Sequence, residues 1–151
     1  MERPGERGAM TTWIDEHLAV SPMPSTRELK DLASTFNAVA VLVEDWELKY
    51  DPAQLQLLGV KVNHLPIPDF GIPRLPEFQK LVAWLLTETG DGHAALIHCV
   101  GGIGRSGMVA AAYLVARGVP VEYAIKHVKG LIRGALQLEE QVNIVRQFAL
   151  R

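Results

Sequence analysis

Apolar runs of strand length and amphipathic stretches of helix length alternate along the 151 residues. Ala38 to Val43 is a continuous apolar, largely β-branched run, which predicts a strand buried on both faces and hence a parallel sheet. Ahead of it, Thr12 to Val20 has room for one or two short strands. Ser25-Thr26-Arg27-Glu28 then reads as a capping box opening a helix to about Thr35, and Asn37 breaks it. Asp51-Pro52 supplies an N-cap followed by proline at the first helical position. Gly59 closes that short helix before a strand over Val60 to Leu65.

Three prolines between Pro66 and Pro73 stiffen a loop at the carboxyl end of that strand, where loops tend to carry function. An amphipathic helix follows from about Pro76 to Thr89, ended by Gly90, and Ala94 to His98 is a short apolar strand. Arg105 to Arg117 predicts a nearly all-apolar central helix stopped by Gly118, with two more helices over Val121 to Ile132 and Leu138 to Leu150. The alternation predicts one α/β domain whose mostly parallel central sheet is flanked by helices on both faces. Residues 1–10, polar and holding two glycines and a proline, read as a flexible extension, leaving 11–151 as the folded unit.

Composition narrows the function. With 48% apolar residues the chain can bury a core, and its formal charge of −2 supplies no broad basic field, so neither nucleic acid nor membrane is expected as a partner. The longest apolar run, Met108 to Ala116, is far short of a membrane span, and a soluble cytoplasmic protein is expected. Any anion must be caught locally. The single cysteine, Cys99, excludes an intrachain disulfide and is either a buried inert thiol or a reactive one.

The residues around Cys99 favour the second. His98-Cys99-Val100-Gly101-Gly102-Ile103-Gly104-Arg105-Ser106-Gly107 joins a strand to a helix through a turn with three glycines. Such a turn lets consecutive backbone N–H groups point inward, and the helix dipole adds positive charge at the same spot. Val100, Gly101, Gly102, Ile103 and Gly104 are therefore expected to cradle a tetrahedral anion. The same field favours a thiolate, the nucleophilic form. Arg105, whose planar fork can hold two phosphate oxygens, completes the cradle.

His98-Cys99, five residues, Arg105-Ser106 resembles the H-C-x5-R-[S/T] loop of the protein tyrosine and dual-specificity phosphatases, and the chain is most similar to their compact archaeal-type members. The resemblance implies attack on phosphorus by Cys99 and phosphate binding by Arg105. Ser106 would hydrogen-bond the departing thiolate, and His98 would orient the loop. It also implies phosphorylated proteins as substrates, on phosphotyrosine and also phosphoserine or phosphothreonine. This chemistry requires no metal or other cofactor.

A general acid must protonate the leaving oxygen. Asp69, thirty residues before Cys99 on the proline-stiffened loop, is the best placed. Asp45, after another strand end, is the second choice, while Asp15, Asp31, Asp51 and Asp91 suit cap or turn duties. Phe70 beside Asp69 is expected to meet an aromatic substrate, whereas Trp46 is expected in the core. In the segment Gly134 to Gln141, the resemblance implies that Gln137 positions the hydrolytic water. Gln137 and Glu139 equally suit the first turn of the last helix. Arg133 reads as a solvated helix-end charge, and His17, His64, His93 and His127 lack metal-ligand spacing.

Two other phosphate motifs do not fit. Gly102-x-Gly104-x-x-Gly107 matches the dinucleotide fingerprint formally, but no strand ending in an acid follows about twenty residues later. No lysine follows the last glycine, as a nucleoside triphosphatase loop requires. Within the loop, no added charge meets the extra phosphates of an inositol lipid.

Overall fold

The computed structural model describes residues 11–101 and 103–150, so the extension expected over 1–10 and the cradle residue Gly102 lie outside the described residues. Strands β1 (Thr12–Trp13), β2 (Leu18–Ser21), β3 (Ala38–Val41), β4 (Lys61–His64) and β5 (Ala95–His98) form one sheet in the order β1-β2-β5-β3-β4. Only β1 runs antiparallel; every other pair is parallel. Among them lie helices α1 (Leu29–Thr35), α2 (Pro52–Leu57), α3 (Leu75–Glu88), α4 (Gly104–Ala116), α5 (Val121–Leu131) and α6 (Glu139–Ala149). All residues of β2, β3 and β5 are buried, so the sheet centre is covered on both faces, as the unbroken apolar runs require.

Parallel pairing aligns the carboxyl ends. Ser21, His98, Val41 and His64 form one register row across four strands, and the loops after them share an edge. The expected strand over Ala38 to Val43 leaves regular pairing at Val41. Leu42 and Val43 remain fully buried, with Leu42 N–H donating to the His98 carbonyl at 3.0 Å. The apolar run therefore marks the length of burial rather than of the ladder.

Trp46 departs from expectation. It lies in a short turn, Asp45–Glu47, and is 77% exposed, because that turn directs Glu47 inward instead. Asn37, expected only to break a helix, also joins two elements. Its amide donates to the Glu88 carbonyl at 2.9 Å and accepts from Ala94 N–H at 2.8 Å, fixing the start of β5 against the end of α3.

Helix α4 is the central support. Its residues Arg105 through Leu114 are all buried, and it starts directly after the Cys99 loop. Gly107 lets the 134–136 segment approach: a Cβ there would lie 3.0 Å from the Ala135 Cβ. Gly107→Ala should therefore overpack this contact and lower stability by about 1–3 kcal/mol, read as a reduced urea midpoint. An unchanged midpoint would show that the 134–136 segment yields freely.

Candidate active site

Cys99 directly follows β5, and its Sγ accepts a hydrogen bond from Ser106 Oγ at 3.2 Å, with both side chains buried. No hydrogen bond joins the N–H of Val100, Gly101 or Ile103 to another described residue. At the start of α4 the first N–H groups also lack intrahelical acceptors. Donors left open beside a thiol-bearing turn at a helix start can receive an anion. The Val100 carbonyl is meanwhile held by Met23 N–H at 3.0 Å, which anchors the turn to the loop after β2.

Arg105 is only 3% exposed, and its charge is answered by a residue the sequence reading overlooked. Glu47, 7% exposed, takes a forked pair of bonds, Nη1 to Oε1 at 2.8 Å and Nη2 to Oε2 at 3.0 Å. Nη1 also donates to the Ile67 carbonyl at 2.9 Å. Glu47 is held in turn, since Oε1 accepts from Glu44 N–H at 2.9 Å. The Arg105 guanidinium holds the Glu47 carboxyl below the usual carboxylate range, outweighing its desolvation. Burial works against the Arg105 charge, but Glu47, Cys99 and Asp69 together outweigh it and push its proton affinity up. The faint sequence signal was the Glu44-x-x-Glu47 spacing after a strand end, the mark of a short capped turn.

His98 is fully buried, and burial pushes it down to about 4, against the Cys99 carbonyl, which favours its charged form. Neutral imidazole has one N–H. Because the Cys99 carbonyl 3.2 Å from Nδ1 can only accept, Nδ1 carries the proton and Nε2 receives the Tyr50 hydroxyl at 2.6 Å. Burial raises the Tyr50 phenol above its usual range, which keeps it a donor. Tyr50, also overlooked in the sequence, thus orients His98, and His98 orients the Cys99 carbonyl.

Asp69 sits in a tight turn closed by Gly71 N–H donating to the Pro68 carbonyl at 2.8 Å. Glycine at 71 eases this turn, since a Cβ would press on that carbonyl oxygen at 3.0 Å and on the Pro68 Cβ at 3.2 Å. Asp69 is 59% exposed with Oδ1 3.7 Å from Arg105 Nη2, so it faces both the anion site and solvent. Phe70 takes a left-handed backbone with φ of 63° and is exposed. Asp45 instead lies 3.7 Å from His64 Nδ1 and is not part of the cleft lining.

These groups line a cleft of about 330 Å³. Its floor includes Cys99, Gly101, Gly104 and Arg105, and its walls include Asp69, Phe70, Val100, Ile103, Leu138 and Gln137. Gln141 joins them: it is 2% exposed, and its amide donates to the Gly71 carbonyl at 3.4 Å. Glu139 stands on the first turn of α6, outside the lining, and Arg133 is exposed and also outside it. Among the described residues no cluster of three or more His, Cys, Asp or Glu could hold a metal, and no helix is long and apolar enough to cross a membrane.

The chain has counterparts among known proteins. Residues 9–149 match a family model described as PTP-SAK, a Swiss Army Knife protein, DSP-PTPase phosphatase domain. The crystal structure of Tk-PTP in the active form superposes with a TM-score of 0.89 at 38% identity, covering 94% of this chain and 97% of that one. Rat (Rattus norvegicus) cyclin-dependent kinase inhibitor 3 is 35% identical over 98 residues, 62% of this chain. The chain spans 45% of that relative's length. An uncharacterised protein of Methanocaldococcus jannaschii is 25% identical over 120 residues, 78% of this chain and 80% of its own length.

The pH dependence of stability follows from His98. The folded protein keeps it neutral down to about 4, whereas an unfolded chain takes up the proton near 6.5. Acid therefore favours unfolding. This contribution should be intact above pH 6.5 and fall by roughly 3 kcal/mol as pH drops to about 4. Denaturant unfolding across that window, with an NMR titration of the imidazole, checks it; an imidazole titrating near 6.5 in the native state contradicts it.

Proposed function

Because this chain belongs to the PTP-SAK family of DSP-PTPase phosphatase domains, we propose that it hydrolyses phosphotyrosine on proteins, and phosphoserine or phosphothreonine, through a phosphocysteine intermediate at Cys99. The observation that carries this reading is the buried Cys99 thiol in a turn whose Val100, Gly101 and Ile103 N–H groups have no partner among the described residues, lining one cleft with an Arg105 fixed by Glu47. The catalytic domain is residues 11–151. Its lone reactive thiol suits a reducing compartment, the cytoplasm. Substrates are phosphorylated proteins rather than nucleic acid or membrane.

In the first step the Cys99 thiolate attacks phosphorus, the ester P–O bond breaks, and the Asp69 carboxyl gives its proton to the leaving oxygen. Arg105 and the loop N–H groups of Val100 through Gly104 balance charge on the equatorial oxygens. In the second step water attacks phosphorus, the S–P bond breaks, and the Asp69 carboxylate takes the water's proton. Ser106 Oγ–H donates to the departing sulfur, a bond preformed at 3.2 Å. Gln137 orients the water, with Gln141 beside it on the cleft wall.

The apolar walls favour an aromatic ester. Phe70, Val100, Ile103 and Leu138 are exposed yet gather at this one cleft, where they can flank a phenyl ring. Among the described residues Arg105 is the sole cation in the lining, which fits one phosphate group per ligand rather than several.

Cys99→Ser should abolish hydrolysis of para-nitrophenyl phosphate while retaining phosphate binding; measurable turnover by that variant would sink the covalent route. Asp69→Asn should lower kcat by about 10²–10⁴-fold for phosphoserine or alkyl phosphates and much less for activated aryl phosphates. Equal losses across a leaving-group series would remove Asp69 from the acid role.

A further inference from the structure

Helices α5 and α6 leave between them a second groove, of about 690 Å³, which shares no lining residue with the catalytic cleft. Its floor is apolar, from Ile125 and Val142. Lys126 and Lys129 stand on one bank and Arg146 on the other. Arg146 is already engaged, forked onto Glu122 at 2.8 and 3.0 Å. Lys126 and Lys129 are exposed, and neither makes an ion pair with another described residue. Two cations without an ion-pair partner among the described residues thus face an apolar trough whose one lining carboxylate, Glu122, is taken up by Arg146, in a chain whose net charge is −2.

Gly130 supplies an independent sign that the trough is kept open. It lies in the last turn of α5 without the left-handed φ of a glycine cap, and a Cβ there would meet nothing within 4 Å. Glycine weakens a helix, and neither backbone nor packing requires one at this position. Its effect is to leave that part of the groove lining without a side chain.

Helix α6 borders both the groove and the cleft. Leu138, the N-cap of α6, and Gln141 line the cleft, while Val142 and Arg146, further along the helix, line the groove. At 1.5 Å per residue, the helix advances about 6 Å from the level of Leu138 to Val142 and about 12 Å to Arg146. An extended peptide advances about 3.4 Å per residue, so a peptide passing Leu138 along this helix draws level with Arg146 and the groove within about four residues.

We propose that the α5–α6 groove is an exosite that binds an acidic segment of the phosphoprotein substrate, carboxylates three to five residues from the phosphorylated side chain pairing with Lys126 and Lys129. The inference rests on the protein phosphatase reading. An anionic membrane is the weaker match, since the chain as a whole carries a formal net charge of −2.

The test uses two phosphotyrosine peptides of equal length, one with three glutamates at those positions and one with three glutamines. Wild type should prefer the glutamate peptide in kcat/KM by roughly fivefold to tenfold at low salt, through KM, and lose the preference at about 300 mM NaCl. The double variant Lys126→Glu, Lys129→Glu should reverse the preference. Gly130→Leu should weaken it by filling the trough, with no change of charge. Hydrolysis of para-nitrophenyl phosphate should be the same in all four proteins if Lys126→Glu alone is included. Equal kcat/KM for both peptides in wild type, or a preference that survives the double variant, overturns the exosite. Fluorescence anisotropy of the same peptides separates this from failure of the phosphatase reading. Glutamate-selective binding that depends on the two lysines upholds the exosite even without turnover, and unselective binding overturns it. Lysine-dependent binding to phosphatidylserine vesicles alongside equal peptide kinetics overturns it in favour of a membrane surface.

Discussion

The forked pair between Arg105 and Glu47 is the constraint around which the site is arranged. A guanidinium that is 3% exposed cannot stand without a partner, and removing one member of a buried pair leaves an uncompensated charge. The pair joins the first turn of α4 to the turn after β3, and the Ile67 carbonyl ties in the loop after β4. That loop is itself zipped to β3, with Leu65 N–H on the Val41 carbonyl and Ile67 N–H on the Leu42 carbonyl. Asp69, two residues beyond Ile67, is thereby delivered to the cleft wall. Chain segments far apart in sequence converge because one cation must be satisfied.

How much of this was legible in the sequence depends on whether partners are neighbours along the chain. The cradle was legible because Cys99, its glycines, Arg105 and Ser106 are consecutive between a strand and a helix, so local geometry alone brings them together. Asp69 was legible because prolines mark its loop. Glu47 and Tyr50 were not. Glu47 reaches Arg105 across 58 positions and Tyr50 reaches His98 across 48, and neither contact leaves a periodic trace. Trp46 misled for a related reason: in a turn of three residues only one side chain points inward, and the need to pair Arg105 selected Glu47 over the more apolar neighbour. Strand limits also blurred, since Leu42 and Val43 stay buried beyond the ladder.

Two kinds of order meet at the cleft. Its floor is rigid: Arg105 is locked by Glu47, His98 by Tyr50, and the thiol of Cys99 by Ser106. Preorganised donors need no rearrangement when charge develops on a bound anion. The rim is open and apolar, with Phe70 held outward on a left-handed backbone and Leu138 exposed at the N-cap of α6. Under the proposed function the fixed floor would carry the chemistry and the apolar rim would choose the ester.

The central claim is that Cys99 forms a covalent bond to phosphorus. Rapid acid quench of wild type turning over a phosphotyrosine peptide labelled in its phosphate, followed by proteolysis and mass spectrometry, tests it most directly. The account predicts label on the peptide that carries Cys99. Full turnover with label on no residue, or label on any other side chain, would contradict it.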